Sequence, residues 1–137
     1  MVHEYNKVRR SSYRAKLNEV DDCSVVALAL ACEVSYEEAH SWLIEQGREL
    51  CGSTSIHSVL TAARENGFRV DRFSNVLQPN GSRYTQRSIG KFLKTGKHLC
   101  STRDHIFAVI DGVVEDWTHG KFERIQLIYD VIKLTED

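Results

Sequence analysis

Cys23, His105 and Asp116 are the residue types of a thiol hydrolase, and each stands in a setting that suits one role. Asp21–Asp22–Cys23–Ser24–Val25–Val26–Ala27–Leu28 places a cysteine in the first turn of an apolar helix. A helix N-terminus stabilises a thiolate, the form of cysteine that attacks carbonyl carbon. The two aspartates beside it oppose negative charge on sulfur, so the helix dipole alone does not suffice. The thiol also needs a proton acceptor within hydrogen-bond reach. Asp104–His105–Ile106–Phe107–Ala108–Val109–Ile110–Asp111–Gly112 puts a histidine at the start of a buried strand. Asp111–Gly112 reads as a two-residue hairpin turn. The return strand, Val113–Trp117, then carries Asp116 back beside His105. An acid there holds imidazole in one tautomer and stabilises its charged form. Asp104 is a rival for that role by position, but neighbours on a strand point to opposite faces.

These groups need helices on one side and a sheet on the other, and the hydrophobic pattern changes period midway to supply both. Asp21 and Asp22 read as N-cap residues for a helix over Cys23–Cys32. Ser35–Tyr36–Glu37–Glu38 is a capping box that opens a helix through about Gln46, closed by Gly47. Ser55 caps a third helix, Ile56–Asn66, stopped by Gly67. Beyond it, Phe68–Phe73 alternates like a strand. Thr85 is expected to cap a short helix through Leu93, and Gln78–Pro79–Asn80–Gly81–Ser82 is a turn. His98–Ser101, Ile106–Ile110 and Val113–Trp117 read as strands, with one or two more in Arg124–Leu134. Helices followed by an antiparallel sheet make an α+β chain. Its 137 residues suit one domain over 1–137, with 1–16 as an extended basic arm.

Composition narrows the function classes. The formal net charge is −1 with the signs intermixed, which argues against a nucleic-acid or polybasic membrane surface. No apolar run approaches the ~18 residues that span a bilayer. The basic N-terminus has no apolar stretch behind it, so no secretory signal is expected and a reduced, cytoplasmic setting is. Cys23, Cys32, Cys51 and Cys100 form no CxxC pair and the six histidines are scattered, so neither a metal nor any other cofactor is implied. Cys32 and Cys100 read as small buried hydrophobes. Trp42 and Trp117 read as core or groove-wall residues, His57 as exposed, and Glu37–Glu38 as a helix first turn.

The Cys23–Leu28 and His105–Gly112 segments, with Val114–Glu115–Asp116–Trp117, resemble the papain-like clan of cysteine peptidases. They are most similar to the double-glycine leader peptidases of bacteriocin export and to papain-like peptidase domains encoded by bacteriophages. Ser35–Tyr36–Glu37–Glu38–Ala39–His40, Gly47–Arg48 and Gly52–Ser53–Thr54 resemble the phage domains as well. The resemblance spans about Asn18 to Val131. It implies a papain-like fold, with the nucleophile at a helix N-terminus packed on a C-terminal antiparallel sheet. It also implies a phage or bacterial source, the host cytoplasm if phage-encoded, and a protein or peptide substrate. In those families a glutamine before the cysteine donates to the oxyanion; here its counterpart is Asn18. Ser24 stands where glycine commonly follows the leader-peptidase cysteine.

The expected activity is hydrolysis of a peptide or isopeptide bond, with Cys23 attacking, His105 moving the proton and Asp116 orienting His105. The alternative is a catalytically idle papain-like module that binds a host protein, which the substitutions at Asn18 and Ser24 favour.

Overall fold

Helices fill the first half of the chain and strands the second, in a computed structural model that describes residues 4–17, 22–48, 54–74 and 76–134. The stretch expected as an extended basic arm is instead helical, as α1 (Glu4–Arg9) and α2 (Ser12–Leu17). It folds because it has apolar surface to bury: Tyr5 joins the main core, and Val8 and Tyr13 pack against it. Its basic residues fall in the last turns, where they complement the negative ends of the helices.

The central helix α3 (Cys23–Cys32) is buried at every position from Ser24 to Cys32. Asp22 occupies its N-cap position, but the carboxylate makes no capping hydrogen bond. Other partners claim it, as described below. α4 (Tyr36–Glu45) begins where expected, with the Ser35 hydroxyl accepting the Glu38 N–H at 3.1 Å. α5 (Ile56–Glu65) is capped in the same way, by Ser55 accepting from Ser58 N–H at 3.3 Å.

The strands are β1 (Phe68–Arg72), β2 (Lys97–Ser101), β3 (Ile106–Ile110), β4 (Val113–Glu115) and β5 (Leu127–Lys133). They form one sheet in the order β1-β5-β2-β3-β4, with every neighbouring pair antiparallel. The chain is therefore α+β. β3 and β4 are joined at Asp111–Gly112, where both residues have positive φ (48° and 83°), as a right-twisted hairpin requires. The segment Arg124–Leu134 contributes the single strand β5, which inserts between β1 and β2.

The helix expected over Thr85–Leu93 is reduced to a 3-10 turn, Ile89–Lys91. Ser88 Oγ accepts the Thr85 N–H at 2.9 Å, and Arg87 N–H donates to Lys121 O at 3.1 Å. These bonds take the backbone away from a regular helix. Gly90 in addition lies against the β3–β4 turn: a Cβ there would stand 2.2 Å from Gly112 O.

Both faces of the sheet are covered. On one, α3 lies on β3, and Leu99, Ile106, Ala108 and Val131 join the helical core. On the other, Cys100, Phe107, Val109 and Ile128 pack with Ile89, Leu93 and Ile125. β3, buried on both sides, accordingly reads as an unbroken apolar run.

Candidate active site

Cys23 begins α3 and is half-buried, whereas Cys32 and Cys100 are buried. Burial pushes the Cys32 thiol up to about 12, with Lys97 only partly opposing it. Burial alone raises Cys100. Neither thiol is poised to react. Cys51 lies outside the described residues.

His105 precedes β3 and faces the tip of α3. Its Nε2 meets Asp116 Oδ2 at 2.7 Å. The Cys23 thiol lies on the same cleft as the ring and, after Asp116, favours its charged form. Burial disfavours the imidazolium. The hydrogen bond to Asp116, then that to Cys23, and the charges of both outweigh burial and lift the imidazole pKa to about 9. The structure thus brings Cys23, His105 and Asp116 together in the order the sequence suggested. Asp104, the rival acid, is exposed on the rim of the cleft. Asn18 lies outside the described residues.

Asp116 does not continue β4 but leaves it in a bend, and its side chain is 3% exposed. The same Oδ2 accepts the Thr118 backbone N–H at 3.1 Å and the Thr118 hydroxyl. Thr118 therefore fixes the acid that fixes the histidine. Trp117, between them, sets its ring edge-on to the imidazole with centroids 4.7 Å apart. Trp117 is 45% exposed and so is not a core residue.

Asp22 escapes the conflict its position suggests. Arg14 grips both carboxylate oxygens, Nε to Oδ2 at 2.5 Å and Nη2 to Oδ1 at 3.3 Å. The Tyr36 hydroxyl donates to Oδ2 at 2.7 Å. The charge next to Cys23 is compensated, and the carboxylate is drawn away from the first-turn N–H groups of α3. Those N–H groups stay free of an Asp22 cap and are placed to stabilise negative charge at the helix tip.

The N-terminal helices touch the other half of the site as well. Tyr5 N–H donates to the buried Glu115 carboxylate at 3.0 Å, one residue before Asp116. The Arg9 guanidinium lies 5.0 Å from the centre of the Trp117 ring. Residues 4–17 thus form a strap between α3, which begins at Cys23, and the β3–β4 hairpin beside His105.

A cleft of about 310 Å³ opens beside Cys23 and His105, walled by Thr54 and Ile56 on one side and Ser101, Thr102 and Arg103 on the other. Of the residues that sequence reasoning missed, Thr118 had a local trace: an Asp followed two residues on by Thr suits an Asx turn. Arg14 had none, since its partner is set by packing. Among the described residues no group of three or more His, Cys, Asp or Glu side chains is arranged to hold a metal ion. No described helix is long and apolar enough to cross a membrane. No protein-family model, no curated protein and no solved structure matches this chain.

Proposed function

We propose that the chain is a papain-like thiol hydrolase that cleaves a peptide or isopeptide bond. The observation that carries this reading is the His105 ring, held by Asp116 at Nε2 and sharing one cleft with Cys23 at the tip of α3. The Cys23 sulfur attacks the substrate carbonyl carbon, and the carbonyl oxygen takes up negative charge. The backbone N–H of Cys23, at the tip of α3, is the donor assigned to that oxygen in this reading. His105, charged at neutral pH, gives its proton to the departing amine as the carbon–nitrogen bond breaks, leaving a thioester. The neutral imidazole then takes a proton from water, which attacks the thioester. Collapse of that second adduct frees the carboxylic acid and returns sulfur and imidazolium to their starting states. Asp116 keeps the ring aligned throughout and balances its charge.

The test is thiol labelling. With iodoacetamide or a peptide carrying a cysteine-directed electrophile, Cys23 should be modified well before Cys32, Cys51 and Cys100, and His105→Ala should remove that advantage. Equal, slow labelling of all four thiols would favour the idle binding module instead.

A further inference from the structure

Next to Thr102, a wall of the cleft, lies a surface that the chemistry at Cys23 does not use. Phe122 is 68% exposed, more than any other large apolar side chain among the described residues. It lines a groove of about 420 Å³ together with Leu77, Thr85, Arg83 and Arg124. The Arg87 guanidinium lies 5.1 Å from the centre of the Phe122 ring. Arg83, Arg87, Lys121 and Arg124 are all exposed, and among the described residues none forms a salt bridge. The acid within this stretch, Glu123, is turned toward the cleft, where it accepts from Thr102 Oγ1 at 3.2 Å. In a chain of net charge −1 this is a local excess of positive charge around an apolar centre.

The groove is also built rather than loose. Leu77 bridges to Arg83 and Thr85 to Arg124 through the backbone, and Ile125 N–H donates to Tyr84 O at 2.8 Å. It continues the cleft: Thr102 is a wall of the cleft and holds Glu123, whose neighbours Phe122 and Arg124 wall the groove.

We propose that this groove docks an acidic segment of the substrate polypeptide, with an apolar side chain of that segment against Phe122 and Leu77. The proposal rests on the hydrolase reading above and adds the substrate's chemistry to it. Arginine forks pair two-pronged with carboxylates. Unpaired positive charge at the mouth of a cleft also raises the local concentration of an acidic partner. A groove whose backbone is already tied loses little freedom on binding.

The experiment uses the full chain carrying Cys23→Ala and three fluorescein-labelled probes read by anisotropy. One is a peptide of Glu and Asp with two Phe, one the same peptide with Lys for each acid, and one an oligothymidylate of similar length. The acidic peptide should bind, the lysine peptide should not, and added salt should weaken binding. Arg83→Glu with Arg124→Glu should raise Kd at least about tenfold, a loss of ~1.4 kcal/mol. Phe122→Ser, an exposed site where folding is not at stake, should also raise it. Equal binding of the two peptides, indifference to salt, or no effect of either variant overturns the proposal. Tighter binding of the oligothymidylate overturns it in favour of a nucleic-acid surface. Slow alkylation of Cys23 in the unaltered chain overturns the hydrolase reading instead, because the anisotropy measurement uses a chain without that thiol.

Discussion

Thr118 donates twice to Asp116, and Asp116 passes that constraint on to His105. The charge state of His105 is the readout. Of the two partners that raise its pKa, Asp116 contributes the larger hydrogen-bond effect. In an NMR titration, Asp116→Asn should lower the His105 pKa further than Cys23→Ala does. A larger drop in Cys23→Ala would mean that the thiol, not the acid, governs the ring. The same shift makes stability depend on pH. The imidazole pKa rises on folding from 6.5 to about 9, so charged His105 stabilises the folded chain fully below about 6.5. That contribution fades as pH climbs through about 9. The difference in denaturation midpoint between the parent chain and His105→Ala should narrow over this range; a gap independent of pH would count against a charged His105. Cys23, His105 and Asp116 were legible because each sits in a local pattern: a helix tip, a strand start, and the far arm of a two-residue turn. Arg14 and Tyr36 were not, because what matters about them is a meeting at Asp22 that no local pattern encodes.

At the scale of elements, α2 compensates the charge beside Cys23, and the 3-10 turn braces the β3–β4 turn at the end of the hairpin away from His105. With Arg14→Ala, the Asp22 carboxylate keeps Tyr36 but loses its positive partner beside Cys23. Alkylation of Cys23 should slow by roughly fivefold, the equivalent of ~1 kcal/mol, for this largely buried pair. Adding Asp22→Asn should restore most of the rate by removing the unbalanced charge. If Arg14→Ala alkylates at the parent rate, the pair only staples α2 in place. At the hairpin turn, Gly90 has no room for a side chain, since a Cβ would meet Gly112 O at 2.2 Å. Gly90→Ala should cost about 1–3 kcal/mol, measured by denaturant unfolding. An unchanged midpoint would mean that the turn is free to move. This contact also accounts for a misread element. Thr85–Leu93 carries helix-start chemistry, but Ser88, Lys121 and the β3–β4 turn take up its backbone and its space. The caps at Ser35 and Ser55 had no such competitors and formed as their sequences suggest.

Over the whole molecule, the α+β class follows from the change of hydrophobic period near Phe68, while the sheet order does not. Nothing local tells β5 to insert between β1 and β2; that choice is made by pairing across long stretches of chain, Phe68 with Lys133 and Cys100 with Ile128. The strap of residues 4–17 is the extreme case. Its Tyr5–Glu115 hydrogen bond joins residues 110 apart in sequence. Closing so long a loop comes late, after local helices have formed. A ribosome delivers Arg9, Arg14 and Cys23 first and Trp117 last, with most of the chain made in between. During synthesis Cys23 is therefore present without His105, and Trp117 has not yet arrived to meet Arg9 or His105. A ribosome-bound chain halted before His105 should show a Cys23 alkylation rate no higher than that of an ordinary cysteine, and the rate should rise only once residues through Thr118 have emerged. The long reach of the strap then serves as a timer: under the hydrolase proposal, the chain has no working blade while its own unfolded length is still being made beside it.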